Sequence, residues 1–149
     1  MSSQAPKIQF HFLQQGFSLA GRSSLKSFIV SLFRKEKRPL GELNYIFCSD
    51  DYLLEVNRQY LNHDYYTDII SFDLSEPNQP LNAEIYISVD RVRDNASDFK
   101  SSFKRELHRV MFHGALHLCG YKDKKPEDQQ IMRKKEDKYL ALYFPRASD

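Results

Sequence analysis

The stretch from Phe103 to Cys119, FKRELHRVMFHGALHLC, spreads apolar residues over most of a helical circumference. A helix that is apolar nearly all round must be covered on several sides, so it belongs at the centre of a fold. The spacing predicts a helix from about Ser101 to Cys119, with Gly120 placed to end it in the left-handed conformation. A chain of 149 residues can supply that cover within one domain, and the whole of 1–149 is read as one. Eleven Phe and nine Tyr provide the bulk of its core.

The cover is legible on both sides of this helix. Lys7 to Leu13 alternates Ile8, Phe10 and Phe12 and reads as a strand. Ser23 or Ser24 is expected to cap a helix carrying Leu25, Phe28, Ile29, Leu32 and Phe33, with a basic end from Arg34 to Arg38. Pro39 and Gly41 break it, and Leu43 to Phe47 reads as a second strand with Tyr45 and Phe47 on one side. Ser49 caps a second helix through Leu53, Leu54, Asn57 and Tyr60. After a polar connection, Asp68 to Leu74 and Ala83 to Val89 form two more strands, and Asp90 to Ala96 a short helix. Pro126 opens a last helix through Ile131, Met132, Tyr139, Leu140 and Tyr143. This order predicts a small α+β domain, one mixed four-stranded sheet packed with helices.

Composition narrows the function classes. With 22 basic and 20 acidic residues the net charge is +2, too weak to argue nucleic-acid binding from the whole chain. Cys48 and Cys119 lie far apart and form no CxxC pair, which fits a reducing cytoplasm better than a disulfide framework. The leading MSSQAPKIQFHFLQ has no basic region followed by a long apolar run, so no signal peptide is expected. No run approaches the roughly 18 apolar residues of a membrane span.

The chemistry concentrates in His113-Gly114-Ala115-Leu116-His117. Two His four residues apart on a helix share a face, one turn apart, and both imidazoles can reach one metal ion. The helix ends soon after His117, and the partial negative charge there favours a cation. Against this stands a plainer reading, in which each ring is simply hydrogen-bonded. Gly114 occupies the place where HExxH metallopeptidases carry their general base, which disfavours peptidase chemistry.

HGALHLCGY resembles the signature of the YbeY family of ribosomal RNA maturation factors and metal-dependent hydrolases, HGxLHLxGYDH. The resemblance extends through Asn57 and Tyr60, Asp64 and Thr67-Asp68-Ile69-Ile70-Ser71-Phe72, which match LNxxYRxxDxPTDVLSF. It continues in Ala83 to Ser88 against GDIxIS, and in Met132 with Glu136 against MxxxE, so it spans roughly residues 43 to 140. It implies a zincin-like His-xxx-His helix and one zinc ion per chain, held by His113, His117 and, where the family has its third His, Asp123. Asp is a competent zinc ligand, though its site is less positive than a three-His site. Glu127 and Asp128 are the alternatives for that position. The family arginine falls at Leu61; Arg58, one helical turn earlier, is the nearest cation, and Ala83-Glu84 stands for the usual Gly-Asp.

What the resemblance implies is a single-strand-specific endoribonuclease acting on ribosomal RNA during small-subunit maturation. Either a water activated at the metal or the ribose 2′-hydroxyl is then the nucleophile, and no catalytic side chain is assigned. Substrate contact falls to Arg58, Lys122 and Lys124, with Lys125 and the cluster Arg34, Lys35, Lys37 and Arg38 as further candidates. Lys134 to Lys138 mixes signs and reads as solvent-facing surface. The competing reading is a non-catalytic assembly factor that binds ribosomal RNA or a ribosomal protein and uses its metal structurally.

Overall fold

A computed structural model describes residues 5–145. The single-domain expectation and the leader reading also touch residues 1–4 and 146–149, which lie outside the described residues. Nine elements follow one another in the expected order: β1 (Lys7–Phe12), α1 (Arg22–Lys35), β2 (Leu40–Cys48), α2 (Asp50–Leu61), β3 (Ile69–Asp73), β4 (Leu81–Ser88), α3 (Val89–Asp98), α4 (Phe103–Leu118) and α5 (Pro126–Tyr143). The strands form one sheet in the order β1-β2-β4-β3, with β1, β2 and β4 parallel and β3 antiparallel to β4. The mixed four-stranded sheet of an α+β domain is therefore present.

The two faces of the sheet carry unequal loads. On one, Leu81, Ala83, Ile85 and Ile87 of β4 alternate inward and join Leu25 and Ile29 of α1, Met111, Phe112 and Leu116 of α4 and Tyr139 of α5 in the main core. On the other, Cys48, Leu53, Val56 and Ile70 make a smaller cluster beneath α2. As its pattern demanded, α4 is buried along most of its length. Two contacts fix its height above the sheet. Tyr45 donates its hydroxyl to the Met111 carbonyl at 2.9 Å. Gly114 faces the strands so closely that a Cβ there would lie 2.8 Å from Ile69 Cδ1 and 3.0 Å from Ile85 Cδ1.

Serines start three of the helices: Ser49, Ser88 and Ser102 accept from the backbone N–H of Tyr52, Arg91 and Arg105. The first helix corrects the expectation. Gly21, in the left-handed region at φ 64°, precedes Arg22, and neither Ser23 nor Ser24 caps it. The second strand begins earlier than Leu43, at Leu40, and takes in Gly41 at a register shift where a Cβ would meet the Leu81 carbonyl at 3.1 Å. Val89 starts α3 rather than ending β4, because Ser88 caps the helix there. No helix among the described residues is long and apolar enough to cross a membrane.

Candidate metal centre

At the end of α4 the chain closes a Schellman turn, in which Gly120 N–H donates to His117 O and Tyr121 N–H to Leu116 O. Gly120 has the positive φ, 108°, that this turn requires. The turn brings the Tyr121 carbonyl back over the helix end, where it lies 3.1 Å from His117 Nδ1. An imidazole nitrogen facing a carbonyl carries the proton, so Nε2 of His117 presents a lone pair. The turn is itself anchored: Tyr121, Tyr139 and Lys135 all donate to the Glu36 carboxylate at the C-cap of α1. Burial opposes the charge on Glu36, but these hydrogen bonds outweigh it and hold the carboxyl below its ordinary range.

His113, one turn earlier, is half-buried between two carboxylates. Its Nδ1 lies 2.6 Å from Glu136 Oε2 and its Nε2 lies 3.0 Å from Asp123 Oδ2. Desolvation disfavours the charged ring, but Glu136, Asp123 and Asp68 together hold its pKa above the ordinary value. Glu136 is pinned from its other oxygen by Arg109 at 2.9 Å, and Arg109 also meets Asp137 at 3.2 Å. Burial would neutralise Glu136; His113 and Arg109 keep it ionised.

The ring lines a cleft of about 900 Å³ together with Asp123, Asp68, Glu106, Arg109 and Glu136. Asp68 stands at the start of β3 and accepts from Asn95 at 3.2 Å. Burial raises its pKa despite the nearby His113, so it holds a proton more readily than an ordinary aspartate. Cys48 and Cys119 take no part: burial pushes both thiols up to about 12.

The structure thus brings His113 and Asp123 together and leaves His117 exposed, one turn along the same helix. Among the described residues, no three His, Cys, Asp or Glu side chains converge as a ready metal cage. The donor chemistry nevertheless suits a metal. With Glu136 taking the Nδ1 proton of His113 and Tyr121 taking that of His117, each ring would offer its Nε2 lone pair to a cation once neutral, and a carboxylate lies beside the first. A lone pair and a carboxylate at 3.0 Å repel unless a cation or a proton lies between them. Of the alternatives to Asp123, neither Glu127 nor Asp128 lines the cleft.

The expected substrate contacts are more scattered. Lys122 and Lys124 are exposed on either side of Asp123, outside the cleft lining. Arg58 is exposed on α2 and spends its charge on Glu55 at 2.9 Å and on Asp64. Arg38 pairs with Asp73 at 3.2 Å. One reading is corrected: the segment Lys134 to Lys138 is not uniformly solvent-facing, since Glu136 is only 5% exposed and supports His113. Periodicity offered a signal, because Met132, Glu136, Tyr139 and Leu140 share the inner stripe of α5. Arg109, Glu106 and Asp68 were not singled out; Asp68 stood only as a motif letter, and the other two lie on α4 facing the same cleft.

A family model described as endoribonuclease YbeY matches residues 15–143. A curated relative from Flavobacterium psychrophilum, named endoribonuclease YbeY, is 52% identical over 136 residues, covering 91% of this chain and 96% of its own length. One of the same name from Cytophaga hutchinsonii is 52% identical over 126 residues, covering 85% and 88%. Among solved structures, the solution structure of a Thermotoga maritima protein superposes with a TM-score of 0.56 at 31% identity, covering 89% of this chain and 87% of the other.

Proposed function

The chain belongs to the endoribonuclease YbeY family, and on that footing we propose that it is a zinc-dependent, single-strand-specific endoribonuclease of ribosomal RNA maturation. Its site of action would be the cytoplasm and its partner the small ribosomal subunit or its RNA. The observation that carries the reading is His113, held between Glu136 and Asp123 at the wall of a cleft large enough for a nucleotide, with His117 Nε2 free one turn away.

His113, His117 and Asp123 would hold the metal, which when bound acidifies a water and polarises a phosphoryl oxygen. The protein's own groups prepare that site. Glu136 fixes the tautomer and the orientation of His113, and such supporting carboxylates typically account for about 10- to 100-fold in metal affinity. Arg109 keeps Glu136 ionised and ties α4 to α5, so the ring cannot swing away. Asp68, with its raised pKa, can hold or pass a proton at the cleft wall.

The assembly-factor reading retains one specific support. Leu61 stands where the family has arginine, and Arg58 is engaged by Glu55 and Asp64, so α2 contributes no cation to the cleft lining. Single-turnover cleavage of labelled single-stranded RNA separates the two. The nuclease reading expects cutting by zinc-loaded protein and none by the His113→Ala/His117→Ala double variant. Cutting that persists in the zinc-free double variant overturns the metal mechanism. A zinc-loaded wild type that is stable and binds RNA without cutting leaves the assembly role.

A further inference from the structure

A second cavity, of about 610 Å³, opens at the opposite end of α4 from Gly120 and shares Phe99, Glu106, Arg109 and Arg133 with the His113 cleft. Its cations are Lys100, Arg105, Arg109 and Arg133. Arg109 is spent on Glu136 and Asp137. Arg133 reaches Glu136 only at 3.8 Å, and among the described residues Lys100 and Arg105 meet no carboxylate. The single acid in the lining, Glu106, is buried, and desolvation raises its pKa despite Arg109. The pocket therefore carries uncompensated positive charge.

Its position sharpens this. The first turn of a helix is where basic side chains are least favoured, since the helix dipole is positive there. Here Lys100 and Arg105 bracket that turn. Ser102, which also lines the pocket, satisfies the Arg105 N–H.

An independent observation bears on the class of ligand. Phe99 forms the wall shared by both cavities and is 63% exposed, although its ring has no polar tip to gain from water. The turn that presents it is held rigidly. Phe99 N–H donates to Asn95 O, Lys100 N–H to Ser97 O and Ser101 N–H to Ala96 O, with Lys100 in the left-handed region at φ 53°. An exposed flat ring beside unpaired cations is the pairing by which proteins bind single-stranded nucleic acid, the base stacking while the phosphate is neutralised.

We propose that this pocket is a nucleotide subsite for single-stranded RNA, in which Lys100, Arg105 and Arg133 hold a backbone phosphate and Phe99 stacks a base. The inference rests on the ribonuclease reading above and adds where the strand runs. Arg105 stands eight residues before His113, about 12 Å along the helix axis, so the strand passes from the metal cleft over Phe99 to the start of α4.

The test uses zinc-free full-length protein, which separates binding from cutting, and fluorescence anisotropy with a labelled single-stranded polyuridine oligonucleotide across a salt series. Lys100→Glu and Arg105→Glu are each expected to bind about tenfold more weakly and to lower the salt slope by about one. Phe99→Ala is expected to bind about tenfold more weakly with the slope unchanged, and Phe99→Tyr to retain binding. With zinc restored, the weakened variants should raise KM more than they lower kcat. Phe99 and Lys100 are exposed and Arg105 is partly so, and thermal melting checks that each variant is folded. If wild type binds and cuts while these variants match it, the subsite is wrong and the nuclease reading stands. If wild type neither binds nor cuts, the nuclease reading falls and the subsite falls with it.

Discussion

His108 and His113 lie on the same helix, and the protein treats them in opposite ways. His108 is 2% exposed, donates from Nδ1 to the Lys104 carbonyl at 2.7 Å, and packs among Phe112, Tyr143 and Phe144 with no partner for Nε2. Burial holds its pKa below the ordinary value. His113 meets Glu136 and Asp123, and they hold its pKa above that value. Five positions along a helix turn a side chain by about 140° after one full revolution, so the two rings meet different neighbours. Aromatic residues from the end of α5 enclose the first, and a carboxylate from its middle supports the second. The lesson is that an imidazole is structural or functional according to what the facing element presents, not according to its own helix.

The sharpest way to break this contrast is to delete the carboxylate-paired ring. His113→Ala should lose bound zinc and RNA cleavage by at least about 100-fold, read by metal analysis of protein purified without chelator and by single-turnover cutting. It also leaves Glu136 with Arg109 as its one close partner among the described residues, so melting temperature should fall. Next in size, Glu136→Gln keeps the shape but removes the charge that orients His113. Zinc affinity should drop by about 10- to 100-fold, measured by competition with a chelator. If affinity is unchanged, α5 only packs there. Gly114→Ala keeps both rings but crowds the Ile69 and Ile85 side chains, and should cost about 1–3 kcal/mol in chemical denaturation.

The smallest effect belongs to the structural ring. His108 titrates near 6.5 in the unfolded chain and lower in the fold, so between those values the unfolded state holds more protons. Its contribution to stability is complete above about 6.5 and is lost as pH falls through the folded value. His113, in the zinc-free protein, has the opposite sign: its contribution is complete below the unfolded value and fades as pH rises through the folded one. His108→Phe should therefore blunt the acid lability of the zinc-free protein below about pH 6.5, read from denaturation midpoints. An unchanged acid limb would place the titrating group elsewhere.

The nine elements were legible because each carries its own local pattern: period-two apolar residues in the strands, serine caps at α2 and α4, and the glycine after Cys119. The misjudged α1 cap has a local cause too, since Gly21 needs only its backbone and leaves no side-chain signal. Of the site, the family motif pointed to His113, His117 and Asp123; the first and last meet, while His117 stands exposed one turn away. The supports of the site were legible only in part. The family motif and the inner stripe of α5 mark Glu136, but only the packing of α5 on α4 sets it against His113 and Arg109. Glu36 lies in a basic run and reaches Tyr121 and Tyr139 across more than 80 positions of chain. Such contacts depend on which faces two distant helices turn to each other, and no local pattern encodes that.

The missing side chain at Gly114 has a consequence for where this protein can travel in sequence space. Metallopeptidases of the His-xxx-His type carry a glutamate at this position. Here the position faces Ile69 and Ile85, so a carboxylate side chain can be seated only if both isoleucine side chains give way. Selection acting one residue at a time meets a packing cost here before it meets a new activity. The closeness of α4 to the sheet thus guards the repertoire of the protein as well as its stability.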